Sequence, residues 1–429
     1  MKILLRTVLT AIVVLTLASH AVASMNFIPN NYGLSARGMG MACAMTAVTD
    51  DVGVSFFNPA ALAVPKHSRV GMGYLYGAPF FEGDGPGGKL EFDKANEVVQ
   101  LGLNICMRDL FTSGRGLGFG LNIALDENGS AFIRFTDKRS DNGQFIRYGT
   151  ANGGIVAGLG LEVLPVWYLG AGALVQLHGD TALAVNTDLA GNAKNESMEL
   201  NSDPYVTPIA STLIRIRPLN IGLTWRMESY GQMGPITADT LAEVGDSPLA
   251  TLPLSLSYRD SFIPMQAALG VAYDIRPDLL LAFDFTWHQW SRFVKIVEDK
   301  DDARRDSRFD FRDTFIPRIG LEWEATESHA LRFGYYYDMT PVDGIGTYRP
   351  YRDLPNVMGF VVLDNDKHVG SLGYGFTWLK VPMLNESIKV DLAYSFQYLV
   401  PRSMKTTDGY KFESSGMLHA GTLTFSLGF

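Results

Sequence analysis

The chain ends in a stretch that alternates small or polar with large apolar side chains: Thr422-Leu423-Thr424-Phe425-Ser426-Leu427-Gly428-Phe429. Successive side chains of a β-strand point to opposite faces, so this period of two predicts a strand with one apolar face. An amphipathic helix would instead repeat its apolar residues every three or four positions. The end of the chain is therefore predicted to be a two-faced β-strand.

Segments with the same two-residue period recur through most of the chain. The most regular of them run from Leu279 to Trp287 and from Ile388 to Tyr398. The others lie at 69–80, 97–108, 116–125, 152–163, 166–178, 204–216, 218–228, 262–275, 313–325, 329–340 and 366–380. Runs of about ten residues suit a tilted strand that crosses a bilayer, and the set predicts an all-β transmembrane antiparallel barrel of about 14 strands.

The connections between these segments distinguish a transmembrane barrel from a soluble β-sandwich, whose strands also alternate. From residue 69 onward the connections run long, short, long, short, as the loops and tight turns of outer-membrane barrels do. This order places both ends of the barrel on the side of the short turns. It requires residues 251–260 to extend the next strand or to belong to a loop, because a turn at Arg259-Asp260-Ser261 would add a strand.

Tryptophan positions give an independent prediction of the membrane interfaces, where amphipathic rings are enriched. In the up-and-down scheme three tryptophans fall near the outer ends of strands and three near the inner ends. The outer set is Trp225, Trp287 and Trp290, and the inner set is Trp167, Trp323 and Trp378. A general preference of aromatic residues for strands is the alternative explanation.

The first 23 residues resemble an export signal. Lys2 and Arg6 precede an apolar core from Val8 to Ala18, and Ala21-Val22-Ala23 is a small-x-small cleavage site. The apolar core is shorter than the roughly 20 residues of a membrane-spanning helix. We therefore expect residues 1–23 to be a signal peptide and the mature chain to begin near Ser24.

Charge and motif content exclude several function classes. Loss of Lys2 and Arg6 with the leader lowers the formal net charge from −9 to −11, which disfavours nucleic acid as a partner. The sequence has no Gly-x-Ser-x-Gly elbow, His-Glu-x-x-His motif or paired-cysteine metal spacing, so neither an enzyme nor a cofactor or metal site is predicted. Its two cysteines, Cys43 and Cys106, are expected to be unpaired.

Residues 24–66 do not alternate and are rich in small side chains. A segment of this composition ahead of the first strand can pack compactly within a barrel. In Asn58-Pro59-Ala60, the asparagine is suited to cap a short helix and Pro59 to occupy its first position. The residues alone therefore predict a turn and a short helix here.

Several of these motifs resemble the FadL/TodX family of outer-membrane channels for long-chain fatty acids and other hydrophobic compounds. They occur in the expected order over nearly the whole mature chain. They are Gly38-Met39-Gly40, Thr49-Asp50-Asp51, Asn58-Pro59-Ala60-Ala61-Leu62, Leu252-Pro253, Leu269-Gly270-Val271-Ala272-Tyr273, Trp290-Ser291, Arg332-Phe333-Gly334, Thr340-Pro341-Val342 and Asp366-Lys367-His368. The segment at 126–151 departs from the family's long, hydrophobic loop after the third strand.

The resemblance implies three regions: the signal peptide 1–23, a plug or hatch at 24–66 and the barrel at 67–429. It implies that Asn58, Pro59 and Ala60 end a plug whose movement opens the channel. The mature N-terminus contacts ligand in that family, which implies that Phe27 and Met25 do so here.

A carboxylate ligand would need a cation, and the candidates are Arg308 and Arg312. The alternative that we favour is that these arginines pair with Asp306, Asp310 or Asp313.

The expected partners are fatty acids, detergents and aromatic hydrocarbons, together with outer-membrane lipid and lipopolysaccharide. A monomer in the bacterial outer membrane is expected. The competing functions are a non-transporting or secretion-associated scaffold and a porin for polar solutes, with an outer-membrane hydrolase as a poorer third.

Overall fold

The structure is a computed structural model. It describes residues 24–85, 88–92, 95–108, 114–126, 145–152, 154–188, 193–244, 247–292, 309–345, 362–378, 387–405, 409 and 411–429. The expected signal peptide lies outside these residues. Among the described residues, no helix is both long and apolar enough to cross a membrane.

Fourteen antiparallel strands form one closed barrel, as the alternating segments predict. Each strand pairs with the next along the chain, and the last pairs with the first. The strands are β1 Arg69–Gly85, β2 Asn96–Cys106, β3 Leu117–Asp126, β4 Gly154–Leu164, β5 Trp167–Asp188, β6 Ala193–Ile216, β7 Leu219–Arg226, β8 Met265–Arg276, β9 Leu279–Gln289, β10 Thr314–Thr326, β11 His329–Asp338, β12 Lys367–Trp378, β13 Ile388–Lys405 and β14 Lys411–Gly428.

The barrel closes where the two ends of the chain meet. Arg69 is the register partner of Gly428, and the pairing of β1 with β14 continues outward to Asp84 opposite Glu413. Ser68 and Phe429 exchange two backbone hydrogen bonds of 3.0 and 2.9 Å. Both ends of the barrel therefore lie on the side of the short turns, which confirms the predicted topology.

The longest connection is a hairpin of Ser229–Val244 and Ser247–Ile263 that joins the outer ends of β7 and β8. Residues 259–261 lie within its second strand, so there is no extra turn and the strand count holds. Similarly, β5 and β6 remain paired through much of 179–203, which the sequence predicted to be a loop. Strands that extend beyond a bilayer need no apolar face, so their sequence loses the alternation.

Three short strands meet away from the barrel wall. Ser24–Phe27 pairs in parallel with Phe145–Asn152, which also pairs with Val362–Leu363. A separate pair joins Phe309–Phe311 to Val342–Ile345. The first three strands connect residues 24–27 with segments between β3 and β4 and between β11 and β12.

The barrel wall has the two faces that the alternation predicts. Outward side chains are large and apolar, such as Phe425 at 51% exposure, whereas Thr422 and Thr424 on the other face are buried. Trp167, Trp225, Trp323 and Trp378 are exposed near strand ends, in agreement with the predicted interfaces. Trp290 does not lie at the predicted interface position, because it is buried in a 3₁₀ turn after β9. Both cysteines are unpaired, as expected.

Candidate functional site in the barrel lumen

The N-terminal segment, residues 28–66, is packed against the inward-facing side chains of the barrel. It contains the short helices α1 Ile28–Tyr32, α2 Ala36–Gly40 and α3 Val54–Phe57 and a 3₁₀ turn at Pro59–Ala63. Nearly all its residues from Ile28 to Ala63 are buried. Small residues make this possible, because the wall can approach the backbone of the segment closely.

A belt of inward-facing glycines lines the wall where it meets the N-terminal segment. A Cβ added at Gly118 would lie 2.0 Å from the Leu62 carbonyl oxygen, and one at Gly222 would lie 2.2 Å from that of Thr46. At these two positions only glycine avoids an overlap, because every other residue carries a Cβ. An added Cβ would also come within 3.0 Å of a backbone or side-chain atom at Gly71, Gly102, Gly116, Gly120, Gly160, Gly170, Gly270, Gly320 and Gly334.

Asn58 links the end of the N-terminal segment to another part of that segment and to the barrel wall. Its Oδ1 accepts from the backbone N–H of Ala60 at 3.1 Å, which is the capping bond that the sequence predicts, with Pro59 in the first turn. Its Nδ2 donates to the carbonyl oxygens of Thr46 at 2.8 Å and Thr212 at 3.2 Å. The side chain is fully buried, so it holds two parts of the segment and β6 at one point.

A buried network of charges joins the segment to the inner end of the barrel. Arg37 of α2 and Arg332 of β11 both contact Glu322 of β10 at 2.5 Å, and Arg332 also contacts Asp391 of β13 at 2.6 Å. Burial alone would lower the pKa of the Arg37 guanidinium, but attraction by Glu322 and hydrogen bonds to it raise that pKa above its ordinary value. At the same end, Asp50 pairs with Arg69 at 2.9 Å.

On its outer side the segment is held by three buried cations. Arg318 donates to the carbonyl oxygens of Ala42 and Asn30, and its guanidinium lies 4.2 Å from the ring centre of Tyr336. Lys367 donates to Asn31 Oδ1 at 2.7 Å. Arg226 donates to the Phe56 carbonyl oxygen at 2.7 Å and lies over the Phe56 ring.

Beyond these cations, one side of the lumen is apolar. The residues of this apolar wall point inward, are at most 2% exposed and belong to one cluster with Ile28 and Tyr32 of α1. They are Leu75, Phe81, Val98, Ala124, Val156, Leu174, Ile209, Leu399 and Leu418. Barrels that carry water have a polar interior, so an apolar wall favours a site for apolar molecules.

The other side of the lumen is polar. Arg226, Gln266, His288 and Thr314 are register partners on β7 to β10, and all are buried on the inner face. We call these four residues the polar row. Thr207 of β6 lies close to it and is the register partner of Leu174 of the apolar wall.

The structure does not bring the four predicted ligand contacts together in one described site. Met25 and Phe27 lie in the strand that pairs with Phe145–Asn152, but their side chains are outside the described part of the chain. Arg308 is also outside it. Arg312 is half exposed and pairs with Asp343 at 3.2 Å. Of its expected partners, Asp306 and the side chain of Asp310 lie outside the described part of the chain, so pairing with them stays a prediction.

Asp313 is engaged elsewhere, which explains the different pairing of Arg312. Its carboxylate accepts from Trp287 Nε1 at 3.1 Å and from the Ser291 N–H at 3.0 Å.

Sequence reasoning missed Arg226 and Lys367 as lumen residues, as well as the glycine belt. The sequence does carry a sign of these residues. Glycines and single cations occur at every second position of the strands, on the face that points into the lumen. Their common level in the barrel becomes visible only when the strands are placed in register.

Comparisons with known proteins agree with this architecture. Residues 260–429 match the family model described as "Outer membrane protein transport protein (OMPP1/FadL/TodX)". The chain is 24% identical over 412 residues to "Alkane uptake protein A" of Marinobacter nauticus, with 90% of this chain and 87% of that protein covered.

Solved structures show the same fold. A Pseudomonas aeruginosa FadL homologue superposes with a TM-score of 0.58 at 18% identity, covering 92% of this chain and 98% of the other. The P. putida toluene transporter TodX superposes with a TM-score of 0.57 at 16% identity, covering 93% and 99%.

Proposed function

This chain belongs to the OMPP1/FadL/TodX family of outer-membrane transport proteins, and from that membership we propose that it is a channel for the uptake of hydrophobic molecules. The substrate class proposed is long-chain aliphatic compounds and aromatic hydrocarbons. The names of two relatives, an alkane uptake protein and a toluene transporter, support this class.

The apolar wall is the observation that carries the proposal. A hydrocarbon gains about 0.8 kcal/mol for each CH₂ that leaves water, so it needs an apolar surface rather than a water-filled pore. Inward-facing Val98, Val156 and Leu174 supply such a surface on adjacent parts of the lumen. In a porin for polar solutes these inward positions would be polar.

Within this function, residues 24–66 act as a plug for the barrel at 67–429, and movement of part of that plug opens the route. Ile28 and Tyr32 of α1 belong to the same buried cluster as the apolar wall, so a hydrocarbon bound there would compete with α1 for this surface. Met25 and Phe27 immediately precede α1, which makes them the proposed ligand contacts at the mature N-terminus. Asn58, Pro59 and Ala60 form the other end of the plug, where Asn58 donates to the Thr212 carbonyl oxygen and Ala60 to Ser211 Oγ of the wall.

Binding of a series of n-alkanes to the purified protein tests the proposal. Affinity should rise with chain length, and Val156→Thr should weaken binding by about 1–3 kcal/mol because it buries a hydroxyl against hydrocarbon. Val70→Thr, an outward-facing position of the same residue type, is the matched control and should have no effect. Phe27→Ala should weaken binding by about 1–3 kcal/mol if the ring covers the ligand.

Conductance in planar bilayers, measured on the same preparation, separates the competing functions. A porin would conduct ions steadily and show no dependence on chain length. A scaffold would neither conduct nor bind. Either result would contradict uptake of hydrophobic molecules.

A further inference from the structure

The polar row is not expected in a lumen that binds only unsubstituted hydrocarbons. Gln266 and Thr314 are at most 1% exposed and face the lumen beside the apolar wall. Within the part of the chain that the structure describes, Gln266 Nε2 and Thr314 Oγ1 have no hydrogen-bond partner. A buried polar atom without a partner destabilises the folded state, so these two atoms call for a hydrogen-bond partner from outside the protein.

The unpartnered atoms of Gln266 and Thr314 lie on one level of the barrel, on either side of His288. Gln266, His288 and Thr314 are consecutive register partners on β8, β9 and β10. Neighbouring strands are about 4.8 Å apart, so a small polar group above His288 lies between the side chains of Gln266 and Thr314. Thr207 Oγ1, which is also buried and unpartnered, extends this surface toward Leu174 of the apolar wall.

The chemistry of these atoms favours an uncharged oxygen. An amide N–H donates, and a threonine hydroxyl can donate or accept, so together they match a hydroxyl or carbonyl group. The guanidinium of the row is already engaged, since Arg226 donates from Nε to Gln266 Oε1 at 3.2 Å and from Nη1 to the Phe56 carbonyl oxygen. A carboxylate would have to compete with these bonds.

We infer that the polar row is a head-group subsite for aliphatic molecules that end in an uncharged oxygen, such as alkanols, whose chains lie on the apolar wall. This inference rests on the proposed function and specifies its substrate class. The oxygen of the ligand accepts from Gln266 Nε2 and exchanges a hydrogen bond with Thr314 Oγ1. The alkyl chain then extends toward Leu174 and Val156.

The test compares an n-alkane, a 1-alkanol and an n-alkanoate of one chain length on the purified full-length barrel. Two net hydrogen bonds should make the alkanol bind about tenfold more tightly than the alkane. Gln266→Leu and Thr314→Val should each remove part of this preference and leave alkane affinity within about twofold.

Thr422→Val is the matched control. Thr422 is also buried and inward-facing, but its hydroxyl donates to the Tyr74 carbonyl oxygen at 3.1 Å. This variant should keep the alkanol preference. Heat-modifiable migration in gels checks that every variant has assembled its barrel.

The outcomes distinguish the inference from the proposed function. If alkane affinity rises with chain length but the alkanol binds no more tightly than the alkane, the head-group subsite is wrong and the proposed function stands. The polar row would then bind water. A preference for the alkanoate that Arg226→Gln abolishes would overturn it in favour of an anion site. If wild-type protein binds none of the three, both the subsite and the proposed function are wrong.

Discussion

The inner and outer halves of the lumen are built in opposite ways. In the inner half, glycines such as Gly118 and Gly222 bring the backbone of the wall against the backbone of the N-terminal segment, and a buried charge network holds α2. In the outer half, large side chains line the lumen, apolar on one side and polar on the other. Backbone contact leaves no room for a ligand, whereas side chains can rearrange around one. This contrast supports the proposal that the inner half closes the barrel and that the outer half supplies the binding surface.

The largest effect is expected where the charge network is broken. Glu322→Ala would leave Arg37 and Arg332 without their shared carboxylate, and removal of one partner of a buried pair costs about 3–5 kcal/mol. The inner half should loosen while the outward face of the barrel is unchanged. A rise in the labelling rate of Cys43 by a maleimide would report this. Glu324→Ala, an exposed carboxylate two residues away, should leave the rate unchanged.

A smaller effect is expected from one methyl group in the glycine belt. Gly118→Ala would place its Cβ 2.0 Å from the Leu62 carbonyl oxygen, and such overpacking costs about 1–3 kcal/mol. We expect the 3₁₀ turn to shift and ion conductance in planar bilayers to rise. Gly370→Ala is the control, because nothing lies within 4 Å of its added Cβ. Equal conductance of the two variants would show that the belt does not seal the barrel.

Asn58→Ala should have a smaller effect, because it removes the helix cap and two hydrogen bonds to carbonyl oxygens but introduces no steric overlap. Loss of an asparagine cap costs about 0.5–2 kcal/mol. Hydrophobic uptake in cells should change while barrel assembly survives. If the variant fails to assemble, as judged by gel migration, Asn58 belongs to the folding core and not to a gate.

The smallest expected signal is the labelling of Cys43 in the unaltered protein. Burial raises the pKa of its thiol to about 11, so at neutral pH almost no thiolate, the reactive form, is present. Cys106 is only partly buried and should label first. Equal labelling of both thiols in the native protein would mean that the inner half opens freely, which would erase the contrast between the two halves.

The strand count could be predicted from sequence because each membrane-crossing strand carries its own two-faced pattern. Leu279 to Trp287 is an example, and Leu279–Gln289 is the strand that forms. The same signal fails at 179–203, which the sequence predicted to be a loop but where the two strands remain paired. The lumen residues were harder to predict, since no local pattern marks Arg226 or Lys367, and Arg312, which was named as a candidate, pairs with Asp343.

By itself, the sequence determined the alternation, the order of long and short connections, and the small-residue segment capped at Asn58. These are local properties, set by side-chain direction along a strand and by hydrogen bonds between near neighbours. Only the tertiary structure decided which glycines meet the N-terminal segment, and that Arg226, Gln266, His288 and Thr314 share one level. The physical reason is that closing the barrel of β1 on β14 fixes the stagger of all strands together, so neighbours in the lumen come from distant parts of the chain.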